Sequence, residues 1–190
     1  MTRLRGTYFA RLTNGIATPP RSASVFAVVR DAPEWVEEIT DRNLPDLAPP
    51  KRLETARNRV ESTAEDDRVD DPALVAWNSV NFEAQYRRHL SRGGAREVLT
   101  TLVETVERRP VWVVSWRSRA DVDHRSVLLE ELRERAEIGP CEPGDHRWSR
   151  GPVPTTIVCG RCGYDSTSLA TGQLAQDVEI PTRLSGGARR

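Results

Sequence analysis

The chain is short of several residue types, and each shortage removes a class of protein from consideration. Its 28 basic and 28 acidic side chains cancel to a formal net charge of zero. No global field therefore draws it onto nucleic acid or an anionic membrane, and any such contact must come from a local cluster. Lysine is nearly missing, Lys51 being the only one; codon bias in a GC-rich genome explains the arginine excess more simply than a need for bidentate phosphate contacts. Long apolar runs are missing too. The longest, around Val25 to Val29 and Val111 to Val114, fall far short of a membrane span, and no N-terminal stretch has the apolar core of a signal peptide. A cytoplasmic protein without a membrane partner is expected. No Gly-x-Gly-x-x-Gly follows a strand and no Gly-Lys-Ser or Gly-Lys-Thr occurs, so NAD and ATP are poor cofactor assignments.

Cysteine is scarce and odd in number, with three residues that cannot all close into internal disulfides. All three lie between positions 141 and 162, which fits metal binding in a reducing compartment. Cys141 and His146 form a Cys-x4-His pair, and after twelve residues Cys159 and Cys162 form a Cys-x2-Cys pair within "CGRCG". This is the spacing of a zinc ribbon: each short pair supplies two ligands from one turn, and an intervening β-hairpin brings the pairs together. Four protein ligands leave no position for water, so one structural Zn²⁺ per chain is expected rather than a catalytic one. A segment this small needs such a staple, since it cannot bury a sufficient core by itself. Arg147, Arg150 and Arg161 are the local candidates for phosphate contacts, and bracing the neighbouring domain is the default role.

What the chain does have is the pattern of an α/β domain. At 190 residues and 21.3 kDa it suits one such domain plus a small module. Leu4 to Ala10 and "SASVFAVVR" from Ser22 to Arg30 read as strands, the second of buried, central type. Pro33 opens a short acidic helix through Trp35, Val36 and Ile39, and the proline-rich Leu44 to Pro50 reads as a loop. Residues 51–71 are highly charged, with Leu53, Ala56, Val60 and Ala64 at helical spacing, and read as an exposed helix or partly disordered insertion to which no function is assigned. Asp71-Pro72 is an N-cap and first-turn pair, opening a helix whose Phe82, Tyr86 and Leu90 recur every four residues up to Gly93-Gly94. A further helix to Arg108 precedes "VWVVSW" at Val111 to Trp116; helix followed by buried strand predicts a mostly parallel sheet. The last helix spans about Asp123 to Ala136. The expected organisation is an α/β domain over 1–139, a ribbon over 140–168 and a flexible tail over 169–190.

Open parallel sheets bind ligands at the carboxyl ends of their strands. That rule selects Arg30 and Asp31 after one strand, and Ser115, Trp116, Arg117 and Arg119 after another, followed by "DHR" opening a helix. Asp123 suits an N-cap, with His124 and Arg125 in a first turn whose free N–H groups favour an anion. From spacing alone it is at least as good a reading that Asp123 merely caps, His124 packs and Arg125 pairs with an acid.

These residues, with "YFA" near Tyr8, "NFEAQYRRHL" from Asn81 to Leu90 and "DHRSVLLEEL" after a hydrophobic strand, resemble domain of unknown function family 488. The likeness covers roughly residues 4–137. That family's signature is a cysteine, a histidine and an arginine opening the last helix; His124 and Arg125 match it, while Asp123 stands in place of the cysteine. The resemblance implies a compact Rossmann-like domain with a polar pocket near Arg30, Tyr86, His124 and Arg125. The departure at Asp123 removes the thiol nucleophile, leaving His124 as a general acid or base.

Two functions follow as expectations. One is an enzyme acting on a nucleotide, a nucleoside or a nucleic-acid end. In it Arg30 and Arg125 hold phosphate, Tyr86 or Trp116 stacks a base, and His124 or Asp31 moves a proton. The alternative is a non-enzymatic module in which the α/β domain and the ribbon together contact nucleic acid or a protein.

Overall fold

In a computed structural model of the chain, residues 4–136, 148–150 and 157–159 are described. Four strands, β1 (Leu4–Tyr8), β2 (Ser24–Ala27), β3 (Arg42–Asn43) and β4 (Val111–Ser115), form one sheet in the order β1-β4-β2-β3, parallel throughout. All five residues of β4 are buried, which is why its near-continuous apolar run takes a central place, with Val111 in register with both Leu4 and Ser24.

The pleat sends alternate side chains to opposite faces, so one strand feeds two cores. Trp112 and Val114 join Val25 and Ala27 on the face covered by α1 (Phe9–Thr13) and α2 (Trp35–Ile39). Val111 and Val113 join Leu4 on the face covered by α3 (Lys51–Asp66), α4 (Pro72–Ser79), α5 (Phe82–Leu90), α6 (Gly93–Arg108) and α7 (His124–Arg135). The larger core holds the fully buried Phe82, Tyr86, Leu99, Leu128 and Leu132. The result is an α/β domain of three layers, with its sheet between two helices and five. Among the described residues, no helix is long and apolar enough to cross a membrane.

Several readings change, the first at Phe9 and Ala10, which were read as strand and instead begin α1. The single helix expected after Asp71 is broken at Asn81, whose φ of 47° is left-handed, into α4 and α5. Asparagine tolerates that conformation, and the break lets Trp77 at the end of α4 stack on Phe82 at the start of α5, ring centroids 4.3 Å apart. Residues 51–71 contain α3, which packs against α4 and buries Leu53, Arg57 and Ala64, so this segment is part of the layer structure. Where a loop was read from Leu44 to Pro50 there is also a 3-10 turn at Pro45–Leu47, and β3 just before it is too short to leave a pattern. Asn43 extends that short edge with its side chain, accepting from Val29 N–H at 3.2 Å and donating to Val29 O at 2.9 Å.

The tail at 169–190 lies outside the described residues, as do Cys141, His146 and Cys162. Of the expected ribbon the structure describes an antiparallel hairpin, β5 (Trp148–Arg150) and β6 (Ile157–Cys159), with Trp148 paired to Cys159.

Candidate functional site at the carboxyl edge of the sheet

β1, β2 and β4 run parallel, so Tyr8, Ala27 and Ser115 end at one edge. The chain leaving β4 returns at Asp123 to start α7. Asp123 is an extended N-cap residue whose Oδ1 accepts from the Arg125 backbone N–H at 3.1 Å. The expected cap is therefore present, yet Asp123 is 0% exposed and does more than cap. Its Oδ2 accepts the Ser115 hydroxyl at 2.5 Å and lies 3.3 Å from Arg125 Nη2, while His124 Nδ1 lies 3.1 Å from Oδ1. Burial by itself pushes the Asp123 carboxyl up. The hydrogen bond and charge of His124, then Arg125 and the Ser115 hydroxyl, outweigh it and hold the group below the usual carboxylate range.

His124 is anchored at both ring nitrogens. Nε2 lies 2.9 Å from Val28 O, beyond the end of β2, and Nδ1 faces Asp123. A carbonyl and a carboxylate both only accept, so the ring satisfies both contacts when it carries a proton on each nitrogen. Arg125 is buried and reaches across the sheet end to donate to Thr7 O. Room for that side chain comes from Gly6: a Cβ there would lie 3.0 Å from Arg125 Cδ and 2.6 Å from Leu129 Cδ1.

Three more charged groups surround this knot; Arg117 belongs to the polar cluster expected after the Val111 strand, while Arg57 and Glu61 were assigned no role from the sequence. Arg57 of α3, 6% exposed, lies over the Phe82 ring with its guanidinium carbon 5.3 Å from the centroid. Its Nη2 donates to Asn58 Oδ1 at 3.0 Å, and its Nε has no hydrogen-bond partner. Burial, then the charge of Arg117, lowers its pKa from the ordinary arginine value against the pull of Glu61 and Asp123. Arg117 in turn makes a bidentate pair with Glu61 at 2.9 and 2.7 Å, lowering the Glu61 pKa. Arg57 and Glu61 occur four residues apart in α3, but nothing in that charged helix distinguishes them from its solvated neighbours until the helix packs.

The remaining expected site residues divide. Tyr86 is fully buried, donates to Leu47 O at 2.5 Å and meets the His124 ring edge-on at 5.7 Å, so it backs the histidine rather than facing solvent. Arg30 donates from Nε and Nη2 to Pro49 O and from Nη2 to Ala48 O, pinning the loop ahead of α3. Asp31 is exposed, and no hydrogen bond or ion pair joins it to this network among the described residues. Trp116 is 48% exposed on the opposite side of the strand ends. There it packs at 4.4 Å from Phe9 and 5.7 Å from Trp35, itself 36% exposed and 5.3 Å from Phe9. The edge thus carries a buried ionic knot on one face and a partly open aromatic cluster on the other. Trp35 was read only as a helix residue; its approach to Trp116 depends on how α2 lies on the sheet.

Compared with protein-family models, with curated proteins and with solved structures, the chain matches none. Among the described residues no group of His, Cys, Asp and Glu is placed to hold a metal ion.

Proposed function

We propose that the chain is an enzyme acting on a nucleotide, nucleoside or nucleic-acid substrate at the carboxyl edge of its sheet. The carrying observation is the exposed Trp35 and Trp116 pair at the strand ends that also hold Asp123 and His124. Partly exposed aromatic rings suit a planar base, whose stacking is worth about 1 to 3 kcal/mol; they lie across the strand ends from the Asp123–His124 knot. His124 is the proton carrier in this reading; it is held by Asp123 and Val28 O and backed by Tyr86, and it must release the Val28 O contact to meet a substrate. Arg30 and Arg125, with their guanidinium groups committed to backbone carbonyls, act as supports for the loop and helix that frame the site. The likeness to family 488 is in keeping with this placement, since its matching residues are His124 and Arg125. Fluorescence titration with a panel of mononucleotides, nucleosides and short single strands tests the proposal. Trp116→Ala should weaken the ligand that binds best by about tenfold or more, while His124→Gln should retain binding and lose turnover. Equal binding of every ligand by parent and Trp116→Ala protein would sink it.

The same proposal includes a structural zinc held by Cys141, His146, Cys159 and Cys162. The β5–β6 hairpin supports it: antiparallel pairing sets Trp148, two residues after His146 in sequence, beside the ligand candidate Cys159. The two candidate pairs provide the thiolate and imidazole donors that Zn²⁺ prefers. Elemental analysis should give about one zinc per chain, and a Cys159→Ser protein that keeps its full metal content would refute the assignment. The ribbon also provides the second reading, a module binding nucleic acid or protein, which requires that removing the ribbon abolish binding while His124→Gln leaves it intact.

A further inference from the structure

Most arginines that pack in this domain have a partner. Arg87 pairs with Glu83, Glu130 and Glu131, Arg119 with Asp71 and Asp121, Arg117 with Glu61, and Arg135 with Glu131. Three exposed arginines, Arg52, Arg88 and Arg92, line one cavity of about 150 Å³ between the start of α3 and the end of α5. No hydrogen bond or ion pair of their side chains occurs among the described residues, and no carboxylate lines the cavity.

The arrangement follows from helical spacing. Gln85, Arg88, His89 and Arg92 stand at i, i+3, i+4 and i+7, which puts them along one side of α5 and its junction with α6. Arg52 comes from the first turn of α3, where Pro50 is the N-cap and supplies no side-chain acceptor; Glu54 of that turn does not line the cavity. His89 is fixed by Asp46 O at 2.9 Å and stacks against Tyr86 with centroids 6.1 Å apart. The carboxylate of that same Asp46 lies instead near Gly94 at the start of α6. Gln85 donates its amide to Val80 O at 2.6 Å and is not available to the cavity as a donor through that nitrogen. Like charges crowd at one concave place without a counter-charge from the protein, and guanidinium forks match phosphate oxygens in geometry as well as charge.

We infer that the cavity between α3 and α5 is an anion site that takes the phosphate group of a small phosphomonoester, bound by Arg52, Arg88 and Arg92. It is separate from the strand-edge site and does not depend on the function proposed for it. Its size suits a phosphate with a small substituent.

The test uses the full chain and inorganic phosphate, followed by calorimetry. Saturable binding of one phosphate per chain is expected, with sulfate competing, and Arg88→Gln and Arg52→Gln should each weaken it by about tenfold or more. Arg21→Gln, which removes the same charge from an exposed position ahead of β2, should leave affinity within a factor of about two if the site is local. Glucose 6-phosphate and glycerol 3-phosphate, compared with phosphate, report whether a substituent fits. All four substituted positions, Arg21, Arg52, Arg88 and Arg92, are exposed, so the variants should fold, as circular dichroism would show. Three results each overturn the inference: no saturable phosphate binding by the parent, equal binding by a triple Arg52, Arg88 and Arg92 to Gln variant, or equal weakening by Arg21→Gln.

Discussion

Ser115 and Asp123, eight residues apart and both fully buried, are joined by a 2.5 Å hydrogen bond from the serine hydroxyl to the carboxylate. The bond ties the last residue of β4 to the N-cap of α7 and thereby fixes where His124 and Arg125 start. Ser115→Ala should cost about 1 kcal/mol, one net hydrogen bond, in urea unfolding. Asp123→Asn should cost about 3 kcal/mol or more, because it leaves buried Arg125 without its counter-charge and takes the carboxylate away from the His124 ring.

Acid stability follows from the same carboxylate. The folded pKa of Asp123 lies below its ordinary value, so its contribution is fully present above about pH 4, the unfolded carboxylate range, and is lost as pH falls through the folded value. Unfolding midpoints measured from neutral to acid pH should fall on that limb in the parent and fall less steeply in Asp123→Asn. Parallel curves would contradict the assignment.

Tyr86 predicts the alkaline counterpart. Burial, then the negative charge of Asp123, raises its phenol well above the ordinary tyrosine value. The unfolded chain therefore loses this proton first as pH rises past about 10, and the stability it supplies below that point declines through the alkaline range. Ultraviolet titration should show Tyr86 ionising with unfolding, a component that Tyr86→Phe removes. The same substitution leaves Leu47 O without its donor and should cost about 1 to 2 kcal/mol.

Arg57 and Arg125 should respond unequally to the same change. Arg57 is buried, its Nε makes no hydrogen bond and lies a distant 3.9 Å from Glu61 Oε2, and Glu61 keeps its bidentate Arg117 pair without it. Arg57→Met should therefore alter stability by no more than about 1 kcal/mol, lost cation–π attraction being offset by relief of a buried charge. Arg125→Met removes a partner of Asp123 and the donor to Thr7 O, and should cost about 3 kcal/mol. Denaturation curves of the two variants, measured side by side, decide it.

Gly6→Ala tests the close approach of β1 and α7. The added methyl would sit 2.6 Å from Leu129 Cδ1 and 3.0 Å from Arg125 Cδ. Both neighbours are packed, so a loss of about 1 to 3 kcal/mol is expected. A neutral result in thermal unfolding would mean that α7 does not press on β1 as described.

Much of this fold was readable before packing. The apolar runs in β2 and β4, the Asp71-Pro72 start of α4 and the Asp123 cap of α7 all rest on neighbours in the chain, through β-branched side chains, a fixed proline φ and a carboxylate two residues from its N–H. The break at Asn81 was not, because Phe82, Tyr86 and Leu90 keep a four-residue interval whether or not the preceding turn is helical. Nor was the strand-edge site complete. His124 and Arg125 were identified, but Arg57 and Glu61 lay in a segment whose charges read as solvated.

Local chemistry, then, determined most of the helices and the strands β1, β2 and β4, pointed to a mostly parallel sheet, and placed a polar cap at α7. Tertiary structure decided the insertion of β4 between β1 and β2, the enclosure of Asp123 and its partners, and the meeting of Trp35 with Trp116. The physical reason is distance along the chain. Helix caps and hydrophobic periods act over a few residues. The contacts that bury Arg57 against Phe82, carry Arg125 to Thr7 and aim His124 at Val28 instead join segments brought together by hydrophobic burial, which has no direction and leaves no local pattern in the sequence.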